Sequence, residues 1–167
     1  MDPLIAITQP AADEAGIVSR IVQRSIRDGC ALDHRNDASL VEAWTRHKGC
    51  DQVARWLLDE ALCLRLAWLQ GKPVGAGMAL ASGEVCLCYV QPESFRRGAG
   101  RALMAALEHF LGTAGHSHAM LYSTRTAAGF YARMGYRPMG RPVSFTGLVL
   151  TPMRKPLAVS AGAWHER

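Results

Sequence analysis

The chain has 167 residues, of which 49% are hydrophobic and 20% are charged. This length and composition predict a single folded domain and exclude a disordered or fibrous protein. The net charge of +5 is unevenly divided, because the first 84 residues carry 9 Lys and Arg against 11 Asp and Glu, whereas the other 83 carry 10 against 3. A basic second half favours a polyanionic or phosphorylated ligand.

The N-terminus and the cysteines indicate the compartment. There is no run of about 18 apolar residues that would predict a membrane-spanning helix. The first residues lack the positive charge and apolar run of a signal peptide, so we expect a cytoplasmic protein. The five cysteines include no Cys-x-x-Cys pair, which favours free thiols and no metal site. Cys86 and Cys88 lie two apart in a predicted strand, so we expect both on one face of the sheet.

The first half of the chain predicts a strand, three helical segments and three more strands. Residues 4–8 are apolar and predict a strand, and a helix with one apolar face follows and ends at Gly29. Ser39 is the candidate cap of a second helix, as the first residue of a capping box, and Asp51 that of a third. Three strands joined by short turns are then predicted at residues 62–69, 74–80 and 84–90.

The second half predicts two helices that alternate with two strands. A helix with its apolar face at 103–111 ends at Gly112, and the later elements are a strand at 119–122, a short helix at 127–134 and a strand at 144–150. Hairpins and βαβ crossovers are both present in this order, which predicts an α/β protein with a mixed sheet. We expect one domain over residues 1–157 and a frayed tail over 158–167.

A glycine-rich loop before the 103–111 helix has the clearest chemical meaning. Gly98 and Gly100 follow a strand that ends at Pro92 and lead directly into the helix. The free N–H groups and the positive dipole end of a helix suit a phosphate, and glycines let the backbone approach it. The spacing is neither that of a Walker A loop nor that of a dinucleotide-binding fingerprint. A tight turn without a ligand is the alternative for this pattern alone.

Two blocks of the sequence resemble the signatures of the GNAT N-acetyltransferase superfamily. Val90, Pro92 and the run RGAGR at 97–101 resemble its motif A, and residues 127–136 resemble its Ala-x-x-Phe-Tyr-x-x-x-Gly block. The resemblance is specific between Glu84 and Tyr136. It implies a mixed, mostly antiparallel sheet of about six to seven strands, flanked by helices and with splayed central strands that hold acetyl-CoA.

The activity that the resemblance implies is acetyl transfer from acetyl-CoA to a primary amine of a small molecule or an exposed peptide, by direct attack in a ternary complex. A main-chain N–H near Tyr89 or Val90 would stabilise the carbonyl oxygen. Thr124 stands where the family often has Asn, so the Thr124 or Ser123 hydroxyl would contact the pantetheine arm. The expected cofactor-binding residues are Tyr89, Val90, Arg96, Arg97, Gly98, Ala99, Gly100, Arg101, Ser123 and Thr124.

Two residues are candidates for proton transfer. Tyr131 matches the family position of the general acid, and a packing aromatic is the alternative. Glu84 is the first candidate for the general base, because it lies 14 residues before Gly98, as the catalytic glutamate does in the histone-acetylating branch. A solvated hairpin tip is the alternative for Glu84. His34 could relay a proton from the loop between the first two helices, and a helix-capping loop is the simpler interpretation.

The partners are only partly defined by the sequence. Asp33 and Asp37 could attract a cationic amine. A non-catalytic acyl-CoA sensor or interaction domain is the second hypothesis for the whole chain. The basic charge also allows a nucleic-acid-binding domain, but the aromatic residues are not grouped with the arginines, so we expect neither a nucleic acid nor a membrane as partner. A homodimer is compatible with the sequence, which does not identify the acceptor amine or the range of acyl chains.

Overall fold

A computed structural model describes residues 4–158 of the chain. Its first half contains β1 (Ile5–Thr8), α1 (Ala15–Gly29), α2 (Ala31–His34), α3 (Ala38–Thr45), α4 (Cys50–Leu57), β2 (Leu62–Leu69), β3 (Lys72–Leu80) and β4 (Val85–Val90). Its second half contains α5 (Ala99–Thr113), β5 (His118–Ser123), α6 (Ala128–Arg133), β6 (Arg137–Pro138), β7 (Val143–Phe145) and β8 (Leu148–Pro156). The predicted tail at 158–167 lies outside the described residues except for Ala158.

The strands form a split sheet. One half has the order β1-β2-β3-β4, and the other has the order β5-β8-β6 with β7 paired to β8, all antiparallel. In the described part of the chain, β4 and β5 are joined by one parallel bridge, between Glu84 and Met120, where the Met120 N–H donates to the Gly83 carbonyl at 3.1 Å. Beyond this bridge the two strands diverge. The splayed α/β sheet is therefore confirmed. It has eight strands instead of the expected six to seven, and two of them are very short, since β6 has two residues and β7 has three.

Apolar helices cover the two faces of the sheet. The buried face of α1 packs with β2 and β3 residues such as Leu66 and Met78, and that face consists of Val18, Ile21, Val22 and Ile26. On the opposite side α5 buries Leu103, Met104, Leu107 and Leu111. Gly77 allows α5 to lie close to the sheet, because a Cβ at this position would be 2.9 Å from Cδ1 of Leu107. Among the described residues no helix is both long and apolar enough to cross a membrane.

A β-bulge at Cys86 changes which side chains of β4 share a face. The pairing skips this residue, since the neighbouring pairs are Met78 with Leu87 and Ala79 with Val85. As a result, Cys86 packs with the core on the α1 side, whereas Cys88 packs with the cores on the α5 side. The prediction that both thiols share one face is wrong, because the extra residue of a bulge shifts the alternation by one.

Two of the predicted helix caps are also wrong. Asp37, and not Ser39, caps α3, because its carboxylate accepts hydrogen bonds from the main-chain N–H groups of Ser39 and Leu40 at 2.9 and 3.3 Å. Gly49 is the N-cap of α4, and Asp51 lies inside its first turn. In both places the helix begins one residue before the predicted cap, so the residue two positions before it takes the capping position.

The predicted strand at 144–150 is a hairpin. Thr146 and Gly147, with φ angles of 49° and 86°, form the turn between β7 and β8. Two successive residues with positive φ are typical of the two-residue turns that match the twist of antiparallel strands. A side chain at Gly147 would collide with Leu40 on α3, so the hairpin lies against the helical layer.

Candidate active site

A cavity of about 850 Å³ lies in the split between β4 and β5. This volume falls within the range of roughly 300–1,000 Å³ that is common for small-molecule sites. Its walls are formed by α1, β4, the loop before α5, the first turn of α5 and α6. Eight of the residues predicted from the sequence line it: Tyr89, Val90, Arg96, Gly98, Gly100, Arg101, Thr124 and Tyr131. Four others do not: Glu84, Arg97, Ala99 and Ser123.

The loop at residues 96–101 presents main-chain donors to this cavity. Arg96 and Gly98 have φ angles of 63° and 93°, and they turn the chain into α5. Within residues 4–158, none of the N–H groups from 96 to 101 has a hydrogen-bond acceptor, and Ala102 is the first to donate, to the Gly98 carbonyl at 3.0 Å. Free N–H groups and the positive end of a fifteen-residue helix make a favourable site for a phosphate.

The side chains of this loop divide between the cavity and other surroundings. Arg96 and Arg101 line the cavity, whereas Arg97 is exposed outside it and Ala99 is buried against the core beside β1. Gly100 lies against Phe130 of α6, since a Cβ there would be 3.2 Å from Cζ of Phe130. The approach of α5 to α6 therefore favours a residue without a side chain at position 100, since Phe130 would have to shift by a few tenths of an ångström to admit a Cβ.

The β3–β4 ladder decides which main-chain groups of β4 face the split. The Gln91 N–H donates to the Val74 carbonyl at 2.9 Å, so this pair faces β3. In an antiparallel ladder the residues that bond to the neighbour alternate with residues whose N–H groups point the other way. With this register, the N–H groups of Cys88 and Val90 point away from β3 and into the split. Tyr89 pairs with β3 and directs its side chain toward the α1 side.

Tyr131 is a buried phenol on the α6 wall. Its side chain is 7% exposed and lines the cavity, and within the described residues its hydroxyl has no hydrogen-bond partner. The ring packs edge-on against Phe130 and Tyr136, with centroid distances of 5.3 and 5.7 Å. Burial, followed by the neighbouring Cys88, raises the pKa of Tyr131 well above its ordinary value. Tyr131 is therefore a protonated donor at neutral pH, and it also packs in the core.

Glu84 lies at the closed end of the split. It is half-buried, forms the bridge to Met120, and does not line the cavity. Cys86 lines the cavity two residues later, and burial together with the nearby Glu84 charge raises the pKa of the Cys86 thiol to about 12. Glu84 itself is therefore close to the cavity without lining it.

The hydroxyls after β5 have different environments. Ser123 is 1% exposed and donates its hydroxyl to the Thr124 carbonyl at 2.8 Å, so its proton is used within the protein. Thr124 lines the cavity, and its Oγ1 accepts from the Ala127 N–H at 3.2 Å. Since a hydroxyl both accepts and donates, Thr124 retains its own O–H for a ligand.

The histidine considered as a proton relay is a structural residue. His34 is 1% exposed, and its Nδ1 accepts from the Asn36 N–H at 3.0 Å. The neutral Nε2–H tautomer follows, with Nε2 donating to the Ile26 carbonyl at 2.8 Å near the end of α1. His34 does not line the cavity, so a role as proton relay is not supported by its position.

The two aspartates considered as amine-attracting groups are also occupied. Asp33 is buried, and its carboxylate accepts from the main-chain N–H groups of Arg125 and Thr126 at 2.7 and 3.0 Å and from the Thr126 hydroxyl. It thereby connects α2 to the loop before α6. Asp37 is the α3 cap described above. In the part of the chain that the structure describes, no group of three or more His, Cys, Asp or Glu side chains could hold a metal ion.

Three residues on the α1 side line the cavity and were not predicted from the sequence: Ser25 and Gly29 of α1, and Cys30, which follows the helix. The sequence contains a signal for Ser25. Ser25 lies four residues after Ile21 and three after Val22, so it is a polar residue within the apolar face of the helix. A polar group on a core-facing stripe is informative because burial without a partner is costly.

The architecture and the cavity agree with the comparison to known families. Residues 31–157 match the family described as acetyltransferase (GNAT) domain. The chain belongs to the GNAT acetyltransferase family. The resemblance stated from the sequence is therefore confirmed, and the protein is an acetyltransferase by family.

Solved structures of GNAT proteins have the same fold. The GNAT chain described here is similar to a GCN5-related N-acetyltransferase from Rhodopseudomonas palustris, with 28% identity over 94% of this chain and 97% of that one and a TM-score of 0.79. PaiA N-acetyltransferase from Thermoplasma acidophilum, solved with coenzyme A, is 15% identical over 92% and 99%, with a TM-score of 0.74. YncA from Salmonella typhimurium, solved with acetyl-CoA, is 17% identical over 94% and 96%, with a TM-score of 0.68. No curated protein matches the sequence.

Proposed function

We propose that the protein transfers an acetyl group from acetyl-CoA to a primary amine. The observation that carries this proposal is the cavity in the split sheet, with the free N–H groups of residues 96–101 on one wall and the Tyr131 hydroxyl on another. Family membership and the two fold relatives solved with coenzyme A or acetyl-CoA support the same donor. The acceptor is the amine of a small molecule or an exposed peptide.

The start of α5 would hold the pyrophosphate of the donor. Main-chain N–H groups of residues 96–101 donate to the phosphate oxygens, and Arg96 and Arg101 neutralise their charge. Thr124 contributes its O–H to the pantetheine arm. The side chains of Arg97, Ala99 and Ser123 do not line the cavity, so Arg97 and Ala99 contribute only their main-chain N–H groups and Ser123 makes no contact with the donor. Acetyl-CoA supplies the activated thioester, and the chain supplies orientation and charge stabilisation.

The reaction is a direct displacement at the thioester carbonyl. The nitrogen of the amine forms a bond to the carbonyl carbon and then loses a proton to solvent, the C–S bond breaks, and the sulfur leaves as a thiolate. Negative charge develops on the carbonyl oxygen, which accepts from the Val90 or Cys88 N–H in the split. We assign this role to these groups and not to the Tyr89 N–H, because the latter is directed toward β3.

Glu84 as a proton acceptor and Tyr131 as a hydrogen-bond donor complete the mechanism. An alkyl ammonium has a pKa of about 10.4 and must lose a proton before attack, and Glu84 takes that proton through water. Tyr131 donates a hydrogen bond to the leaving sulfur. Because a thiol with a pKa of about 8.5 is a stronger acid than this buried phenol, the hydrogen bond stabilises the thiolate without complete proton transfer.

Calorimetry and a thiol-release assay test the proposal together. We expect acetyl-CoA to bind and free coenzyme A to appear when a panel of primary amines is added. Absence of binding at high micromolar acetyl-CoA would overturn the proposal. Binding without thiol release for any amine would instead support the acyl-CoA sensor considered from the sequence.

A further inference from the structure

An arginine on the rim of the cavity has no partner within the described chain. Arg133 of α6 is exposed and lines the cavity, and within residues 4–158 its guanidinium forms neither a hydrogen bond nor an ion pair. Among the described residues, no carboxylate lines the cavity, and Glu93, just before the glycine-rich loop, is paired with Arg24 of α1. An unpaired guanidinium beside a cavity is available to an anionic ligand.

The sequence of α6 directs this side chain toward the start of α5. Long side chains on a helix point back toward its N-terminus, so Arg133 reaches over Gly129, which lies one turn earlier. Nη1 of Arg133 would lie 3.3 Å from a Cβ at position 129, so the missing side chain of Gly129 leaves room for the guanidinium. Phe130, three residues before Arg133, packs against Gly100 in the first turn of α5. The guanidinium therefore lies beside the contact between α6 and the proposed pyrophosphate site.

The depth of the cavity defines the direction in which the donor extends. In the proposed function, the pantetheine arm enters the split toward the N–H groups of Cys88 and Val90, beside Tyr131, which is only 7% exposed. The nucleotide is joined to the opposite end of the pyrophosphate, so it extends outward from the start of α5. Arg133 is exposed on this outer rim, whereas Tyr131 of the same helix lies inside.

The charges of the donor and of the cavity indicate which phosphate Arg133 meets. The pyrophosphate carries two negative charges, and it is matched by Arg96, Arg101 and the free main-chain N–H groups. Coenzyme A has a further phosphate on the 3′-oxygen of its ribose, and a phosphate monoester carries roughly −1.5 to −2 at pH 7. Among the described residues that line the cavity, Arg133 is the one remaining cation.

We propose that Arg133 binds the 3′-phosphate of acetyl-CoA and makes the protein selective for coenzyme A over donors without this phosphate, such as acetyl-dephospho-CoA. This inference rests on the proposed function and extends it to the recognition of the donor. A planar guanidinium binds a phosphate through two parallel N–H···O bonds, an arrangement that a lysine does not reproduce.

Calorimetry with coenzyme A and dephospho-coenzyme A tests the assignment, because the two ligands differ only in the 3′-phosphate. We expect the wild type to bind coenzyme A at least about tenfold more tightly, as one charge-assisted contact allows. Arg133→Gln should reduce this ratio to less than about twofold by weakening the binding of coenzyme A alone, and Arg133→Lys should give an intermediate ratio. Because an exposed ion pair is screened, the wild-type ratio should also fall when NaCl is raised from about 50 to about 500 mM.

Two other arginines provide matched comparisons. Arg101→Gln should weaken both ligands by a similar factor and so retain the ratio, because Arg101 is assigned to the pyrophosphate that both ligands contain. Arg137→Gln removes an exposed arginine of β6 that does not line the cavity, and it should leave both affinities unchanged. If Arg133→Gln lowers the melting temperature, Arg133→Lys decides, since its ratio must then fall below that of the wild type.

The outcomes separate this inference from the proposed function. Equal binding of the two ligands by the wild type overturns recognition of the 3′-phosphate and leaves the proposed donor intact. An unchanged ratio in Arg133→Gln overturns the role of Arg133, and so does a ratio that is lost in Arg101→Gln instead. If neither ligand binds to the wild type, the proposed function itself is contradicted.

Discussion

The two sides of the cavity use polar groups in opposite ways. On the donor side, formed by residues 96–101 and α6, the main-chain N–H groups and the Tyr131 hydroxyl have no partners in the described chain. Beside the α1 wall, Asp33, His34 and Asp37 do not line the cavity and are all engaged in hydrogen bonds within the protein. Titratable residues in a predicted pocket loop are therefore a poor guide to ligand contacts, and unsatisfied donors are a better one.

A negative charge on the donor side should have the largest effect. Gly100→Asp places a side chain against Phe130 and a carboxylate beside the proposed pyrophosphate site. We expect coenzyme A to bind at least about 100-fold more weakly by titration calorimetry, which is about 2.7 kcal/mol. Gly112→Asp in the same helix is the control, since no atom lies within 4 Å of a Cβ at that position, and it should bind normally. Equal affinity of the two variants for coenzyme A would contradict the assignment of the phosphate site to this loop.

Glu84 tests whether the closed end of the split takes part in catalysis. We expect Glu84→Gln to lower kcat/KM about 100-fold and to leave the affinity for acetyl-CoA unchanged. The control is Glu42→Gln, which removes an exposed carboxylate of α3 and should not change the rate. An unaltered kcat/KM in Glu84→Gln would mean that Glu84 is only a residue of the hairpin.

The substitution Tyr131→Phe tests the proposed hydrogen bond to the leaving sulfur and should leave the fold unchanged. Tyr131→Phe should lower kcat roughly ten- to hundredfold through the lost hydrogen bond to the thiolate, with the affinity for acetyl-CoA unchanged. Tyr136→Phe is the matched control, because the Tyr136 hydroxyl donates to Glu108 at 2.8 Å and its loss should lower the melting temperature but not kcat. If the two variants behave alike, Tyr131 is only a packing residue.

The pH dependence of the wild-type enzyme gives an independent check of Tyr131. Because burial raises its pKa, the phenol stays protonated as the pH passes the ordinary tyrosine pKa of about 10. We therefore expect the activity of the wild type and of Tyr131→Phe to change in the same way between pH 9 and about 10. An alkaline limb in this interval that the substitution abolishes would contradict the assignment of a raised pKa.

The substitution Asp33→Ala tests whether Asp33 stabilises the fold or recognises a ligand. Asp33→Ala leaves the buried N–H groups of Arg125 and Thr126 without their acceptor, and we expect it to cost about 2–3 kcal/mol in the free energy of unfolding. Asp37→Ala removes an exposed helix cap and should lower the melting temperature clearly less. A variant Asp33→Ala that unfolds like the wild type but loses affinity for amines would show that Asp33 recognises the acceptor.

The sequence predicted the elements whose causes are local and missed those that depend on pairing. The strand at Leu62–Leu69 follows from its apolar run between turns and agrees with the structure to the residue. The skipped position at Cys86 could not be predicted, because a bulge is set by how β3 and β4 pair and pack. The short β6 and β7 were missed for the same reason, since strands of two and three residues exist only through their pairing with β8.

The candidate site shows the same division. The glycine-rich loop is predictable because a strand, two glycines and a helix start lie within a few residues of one another. The partners of Asp33 are 92 and 93 positions away in the sequence, and no local pattern indicates them. Ser25 interrupts the apolar face of α1, which is visible in the sequence, but whether its hydroxyl has a partner depends on the packing around it.

By itself the sequence determined the α/β class, the order of most elements and the loop that faces a phosphate, because short-range periodicity and turn chemistry encode these features. Only the tertiary structure decided which polar side chains stay available to a ligand. The physical reason is that a buried carboxylate, imidazole or hydroxyl takes its hydrogen-bond partners from segments far apart along the chain, so its freedom is a property of packing and not of its neighbours in the sequence.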